Sequence, residues 1–421
     1  MKLFRQESRN AKAEVRGEHR LPGVWLGIDR GSHQPVVLSE RELNQHTFLV
    51  GTTGSGKTTT IESFMEYAME RGMPLVLVDG KGDLDFAERV RKLSLKFERP
   101  YKAFCLGDPE QSAHYNPLVS GGPTELKDRL IALSEWTEPH YQYMAERYLQ
   151  MAFILHERAG RTNLDLPTLV YEGLTSSALI ALAQQIQAPP YILEYLEGID
   201  PKEIQGLLNR LAVVVESQVG HLFADESENT LTLPDVIQTG GVALFSLDSL
   251  AYPLYASLLG RLVINDLKAA ASKRKASDGL VMTIYDEFNV FASRAVVDFI
   301  NKSRGKGFAA LIATQSLADL DVVDASLKKQ IIQNCNTVIV QRQNDPSDAE
   351  TLAAVIGTEN IWDTTHQISE DGHTGLGSTR LTKEYIAHPD LIKRLTVGEA
   401  FVVRKIPEFQ THYTKIRQVE V

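Results

Sequence analysis

The turn Gly51-Thr52-Thr53-Gly54-Ser55-Gly56-Lys57-Thr58 constrains this chain more than any other feature of it. It follows the apolar run His46–Val50 and opens a helical stretch, Thr58–Met69. That order of strand, glycine turn and helix is the context in which a Gly-x4-Gly-Lys-Thr pattern binds phosphate. The glycines let successive backbone N–H groups curl around an anion, Lys57 brings its ammonium to the β- and γ-phosphates, and the Thr58 hydroxyl is placed to ligate Mg²⁺. The expected ligands are therefore ATP and Mg²⁺, with Thr53, Gly54, Ser55, Gly56, Lys57, Thr58 and Thr59 as nucleotide contacts.

The rest of the chain supplies a domain for that turn. Further short apolar runs recur at Pro74–Val78, Ala103–Leu106, Val242–Leu247, Val281–Tyr285, Ala309–Ala313 and Thr337–Val340, and read as buried parallel strands. Helical periods lie between most of them, including Leu254–Ala271 and Ala295–Lys302, which predicts a three-layer α/β core. The alternation stops between Gly121 and Asp235. Leu130–Trp136, Met144–His156, Pro167–Gln184 and Pro201–Ser217 have helical spacing, no convincing strand interrupts them, and Asp200-Pro201 with Glu203 is a helix start. This interval reads as an all-α domain inserted into the core. The expected division is a basic tail over 1–20, an ATPase domain over 21–120 and 236–421, and the inserted domain over 121–235.

Charge sharpens the division. Residues 121–235 hold 17 acidic and 7 basic side chains, which accounts for the whole formal charge of −10. An acidic total argues against coating nucleic acid through bulk electrostatics, and the insert would repel phosphates. It is expected to dock proteins instead. Cys105 and Cys335 sit in or beside apolar runs without metal-ligand spacing and read as core residues. No window approaches the roughly 20 apolar residues of a membrane span, and Met1–Arg20 lacks a signal-peptide core, so the expected address is cytoplasmic.

Two later strands end in polar residues that suit hydrolysis. Val281–Tyr285 delivers Asp286 and Glu287: Asp286 is expected in the Mg²⁺ shell, Glu287 as the base that orients and deprotonates the attacking water. Ala309–Ala313 leads into Thr314-Gln315-Ser316, where Gln315 is the candidate γ-phosphate sensor and Ser316 a candidate helix cap. Between them, Arg304 in the turn Asn301–Gly307 either reaches the γ-phosphate of a neighbouring subunit or complements a helix C-terminus, and composition does not choose. Lys302 and Lys306 stay unassigned. Lys268, Lys273, Arg274 and Lys275 end a helix and read as a solvated end or as cations facing a channel. Asp83 reads as a helix cap, and Asp371–Ser378 as a mobile glycine-rich loop.

From about Leu26 to Val403 the chain resembles the type IV secretion coupling proteins of the TraD/TraG/TrwB kind, within the FtsK/HerA group of motor ATPases. The motifs that carry this, in order, are His46–Val50 entering Gly51–Thr58, Val78-Asp79-Gly80-Lys81-Gly82-Asp83, Tyr115-Asn116-Pro117-Leu118, Tyr285-Asp286-Glu287-Phe288 and Ala313-Thr314-Gln315-Ser316. The resemblance implies a RecA-like three-layer P-loop NTPase core crowned by an all-α domain, assembled as a homo-hexameric ring with shared nucleotide sites. It implies that Arg304 is an arginine finger, alongside Lys57, Glu287 and Gln315. It also implies an ATP-hydrolysing protein that pumps single-stranded DNA with bound relaxase into a conjugation channel. The insert would receive relaxase and accessory proteins, and the ring would meet channel proteins at the cytoplasmic face of the inner membrane. Most members begin with membrane-spanning helices, and this sequence starts almost at the ATPase domain. Either it is part of a longer protein or the member reaches its channel through a partner; Met1 and the basic lead into Leu21 fit the second. Protein-only cargo, a HerA-like DNA-processing motor and an adaptor whose ATP governs assembly are the competing readings.

Overall fold

A computed structural model describes residues 21–421, apart from 134, 135, 227, 370 and 371; the basic tail expected over 1–20 lies outside the described residues. The described residues form fifteen strands: β1 Gly23–Asp29, β2 Pro35–Ser39, β3 Thr47–Val50, β4 Leu75–Asp79, β5 Tyr101–Cys105, β6 His114–Tyr115, β7 Thr230–Leu231, β8 Val242–Ser246, β9 Val281–Asp286, β10 Phe308–Thr314, β11 Thr337–Val340, β12 Thr358–Ser369, β13 Gly372–Tyr385, β14 Glu399–Arg404 and β15 Gln410–Ile416. Eleven of them form one sheet in the order β2-β1-β15-β14-β11-β3-β10-β9-β4-β8-β5. From β11 to β5 every pairing is parallel. These are the apolar runs of the sequence, and β3, β4, β8, β10 and β11 are buried along their full length because helices cover both faces.

One face packs on helices Lys57–Glu70 and Leu84–Lys96, the other on Pro253–Ser272, Arg294–Ser303, Leu327–Asn334 and Pro346–Ile356, which makes the three layers. Asp83 caps Leu84–Lys96 by accepting from the N–H groups of Asp85 and Phe86. The four antiparallel strands β14, β15, β1 and β2 extend the sheet beyond β11. The segment read as a glycine-rich loop is instead part of the β12–β13 hairpin, with Gly372 and Ser378 both in β13.

The helical insert is held at its neck. β6 and β7 form a two-stranded parallel ladder where the chain leaves and rejoins the α/β core. Between them run Pro123–Ile131, Pro139–Arg158, Ser176–Gln185, Pro190–Gly198 and Pro201–Val215, the last capped by Asp200. Beside the neck, buried Arg129 pairs with Asp266 at 3.1 Å, and Tyr115 donates to the same carboxylate at 3.0 Å. Arg129 belongs to the insert and Asp266 to the core, so this pair fixes one to the other; deleting either partner would strand a buried charge at a cost of about 3 to 5 kcal/mol. Among the described residues no single helix is long and apolar enough to cross a membrane.

Candidate nucleotide site

Parallel register decides what meets what. Val50 pairs with Thr314 and Val340, and Asp79 with Asp286, so the turns after β3, β10, β4 and β9 open side by side at the C-terminal edge of the sheet. The phosphate loop follows β3. Its Gly56 has φ 105°, a left-handed conformation that glycine adopts without strain, and it caps helix Lys57–Glu70 with no side-chain hydrogen bond and no acid in the first turn. The helix N-terminus therefore keeps its N–H donors for an anion. Gly51 is required by space: a Cβ there would lie 2.6 Å from the Ser55 hydroxyl.

Around that loop the expected residues converge. Buried Lys57 donates to the Gly51 carbonyl at 2.8 Å and lies 3.9 Å from Glu287 Oε1. Gln315 Nε2 donates to the same Glu287 oxygen at 2.8 Å, and the Thr53 hydroxyl donates to Gln315 Oε1 at 2.9 Å. Thr53, Gln315, Glu287 and Lys57 thus form one linked row across three strands distant in sequence. Glu287 adopts φ 49°, a left-handed backbone that non-glycine residues reach at a cost of about 1 kcal/mol or more, which turns its carboxylate into the site. Thr58 is exposed at the helix start. Thr59 lines a cleft of about 590 Å³ together with Trp25, Val397, Gly398, Lys415 and Arg417.

Electrostatics tests the fit of a divalent cation. Burial first, then the charges of Asp79 and Glu287, push Asp286 up to about 7, with Lys57 opposing them. Burial pushes Asp79 up to about 6, although the N–H groups of Asp83 and Lys81 bind its carboxylate. Crowded carboxyls of this kind are relieved by a cation, and an Mg²⁺–nucleotide is chemically suited to the place.

Two residues here were not assigned from sequence. Asp79 stands beside Asp286, and Gln341 accepts from the Ser55 hydroxyl at 3.0 Å while donating to Thr60 at 2.9 Å, bracing the loop from β11. Both follow or end an apolar strand, the same signal that marked Asp286. Lys81, in the turn after β4, pairs with Asp83 at 2.6 Å. Arg304 is not among the converging groups. It precedes β10 at the opposite edge of the sheet, near His46, and the seven residues of β10 put about 23 Å between it and Gln315.

Two family models match the chain around this site. One described as the type IV secretion-system coupling protein DNA-binding domain matches residues 31–92, and one described as the TraM recognition site of TraD and TraG matches 280–397. Between them they contain every residue of the site just described except Gly398, Lys415, Arg417 and Trp25 of the cleft. The type 4 coupling protein DotL of Legionella pneumophila is 36% identical over 401 residues, covering 77% of this chain and 50% of that protein.

The chain belongs to the type IV coupling protein family.

This coupling protein is also 24% identical over 314 residues to the DNA import protein CedB of Sulfolobus acidocaldarius, covering 71% of the chain and 45% of CedB. It spans about half the length of these two curated relatives. The bacterial conjugative coupling protein TrwB has the same fold, with TM-score 0.63 at 14% identity over 96% of this chain and 92% of that one. TrwB structures include complexes with ADP and Mg²⁺ and with a non-hydrolysable ATP analogue.

Proposed function

We propose that this coupling protein hydrolyses ATP to recruit single-stranded DNA with its bound relaxase and pump it into a type IV secretion channel. The observation that carries the hydrolytic part is Glu287, buried, turned inward by its backbone and held at 2.8 Å by Gln315, itself tied to Thr53 of the phosphate loop. Such a carboxylate can orient a water and accept its proton, while Gln315 registers whether the γ-phosphate is in place. Lys57, now on the Gly51 carbonyl, would transfer its ammonium to the phosphates. Thr58 and Asp286 would hold Mg²⁺, which neutralises charge on the phosphate oxygens when bound. The cleft beside Thr59 has room for the nucleoside.

Arg304 supports a ring. It is out of reach of its own site, so a role as arginine finger requires a second copy, as in a homo-hexamer with sites between subunits. Cargo is supported by the match over 31–92 to the DNA-binding domain of the type IV coupling proteins and by the likeness to CedB, a DNA import protein. The acidic helical insert favours a basic protein partner, which fits relaxase and accessory factors brought with the strand and presented to channel proteins at the cytoplasmic face of the inner membrane.

The deciding experiment measures ATP turnover with and without single-stranded DNA. Stimulation that disappears in Glu287→Gln while ATP still binds supports the pump. Turnover indifferent to DNA but raised by a cargo protein favours the second reading, protein-only secretion, for which the acidity of the insert is the specific observation.

A further inference from the structure

A cavity of about 300 Å³ lies between the last turns of helices Pro253–Ser272 and Arg294–Ser303, far from the nucleotide site and beside Arg304. Lys268, Lys302 and Lys306 line it, with Asp298 as the one acid among the lining residues. Among the described residues Lys268 and Lys302 make no hydrogen bond or ion pair, and Lys306 reaches the Ser272 carbonyl at 3.4 Å. Lys268 is half-buried. Burial holds its ammonium below the ordinary lysine range, Asp298 opposes that shift, and repulsion from Lys302 adds to it.

A second, independent observation points to a guest. Ser303 lines the same cavity at 2% exposure, and its hydroxyl has no hydrogen-bond partner. Buried hydroxyls are normally satisfied, so an orphan beside three under-partnered lysines is a polar group prepared for something absent from the chain itself. Apart from Ser272, the remaining wall is apolar. Phe299 is 2% exposed and packs edge-on against Phe308 at 5.5 Å, which gives the cavity a rigid aromatic side.

We propose that this cavity binds one nucleotide unit of a single-stranded nucleic acid, its phosphate among Lys268, Lys302 and Lys306 and its sugar or base against the Phe299 wall. Cations that follow a backbone, next to an aromatic surface, are the usual means of holding a single strand without reading its sequence. A triphosphate from a neighbouring subunit would satisfy the lysines only. Its nucleoside belongs to the cleft of the phosphate loop that holds it, and the apolar wall here would stay empty. The inference rests on the DNA-cargo reading above and adds a place to it.

The test uses the full chain, a non-hydrolysable ATP analogue and a fluorescent oligodeoxythymidine, with affinity followed against salt. Lys268→Ala/Lys302→Ala should weaken binding by about 10-fold and flatten the salt dependence by roughly 0.7 for each phosphate no longer neutralised. Lys302→Glu should be worse than Lys302→Ala, and Ser303→Ala should give a smaller loss; unchanged melting temperatures establish that the variants fold. If wild type binds the strand and the double variant binds it with the same affinity and slope, the cavity is idle and only this inference falls. If wild type binds no strand, the DNA-cargo reading falls and takes the inference with it. Displacement of the strand by inorganic phosphate or a mononucleotide at equal phosphate concentration would assign the cavity to a free phosphate and overturn the strand assignment.

Discussion

At the C-terminal edge of the parallel strands the ionisable groups already engage one another: Thr53, Gln315, Glu287 and Lys57 are linked in sequence, and Asp79 crowds Asp286. At the N-terminal edge the cations Arg304 and Lys302 are exposed and Lys268 is half-buried, beside a cavity lined by one acid. The first edge is built to hold a nucleotide within one chain. The second carries positive charge whose complement, under the proposed function, would lie outside the chain, in a neighbouring subunit's phosphates or in a strand. Under the proposed function, a subunit organised this way would hold the base and the phosphate cradle in one place and the charge-neutralising arginine in another, and hydrolysis would depend on assembly.

The sharpest way to break that comparison is Arg304→Ala. If the two edges meet across a subunit interface, turnover should fall by roughly 10³-fold or more with ATP affinity unchanged, measured by steady-state ATPase and nucleotide titration. Mixing Arg304→Ala with Glu287→Gln subunits should then restore part of the activity, because an interface can combine the intact base of one chain with the intact arginine of the other. No recovery in any mixture would mean the sites are not shared. Glu287→Gln alone should cost about 10² to 10⁴ in turnover, as expected for loss of a general base, and should leave ATP trapped on the protein in a filter-binding assay.

A smaller effect probes the crowding of the acidic edge. Asp286 is raised from 3.8 to about 7, so in the folded protein it holds a proton that the unfolded chain has released. Its contribution to stability therefore declines as pH climbs from about 4 to about 7 and is constant above that. Asp286→Asn should stabilise the nucleotide-free protein by up to about 4 kcal/mol near pH 8 and by almost nothing near pH 4, read by denaturant melts, and Mg-ATP should narrow the difference. The smallest effect is Gln315→Ala. Freed of its 2.8 Å bond, Glu287 loses orientation, and turnover should fall by about 10-fold without loss of affinity.

Legibility varied along the chain. The parallel strands were readable because strands buried on both faces must be mostly apolar, and β3, β4 and β10 are, apart from Thr47, Asp79 and Thr314 at their ends. The antiparallel strands β1, β2, β14 and β15 escaped; the runs of β2 and β15 mix exposed and buried positions, as in Gln410–Ile416, and β14 is buried but opens on Glu399 and closes on Arg404. β12 and β13 escaped because they pair only with each other and need no apolar face toward the core, and glycines within Gly372–Tyr385 imitate a loop. In the site, Lys57 announced itself in the glycine turn and Asp286 and Glu287 at a strand end, while Gln341 carried the same strand-end signal but takes its role from the register of β11 against β3.

The sequence by itself determined that this chain would carry a phosphate loop, a pair of acids after an apolar strand, and a helical, acidic insert, because each is a local pattern of residue types with one physical use. Only the tertiary structure decided which of those pieces touch. Strand order put β10 between β3 and β9, and so placed Gln315 between Thr53 and Glu287, and it set Arg304 at the opposite edge. Such placements follow from long-range pairing, whose partners here lie 28 and 262 residues apart and leave no mark in any single stretch of chain.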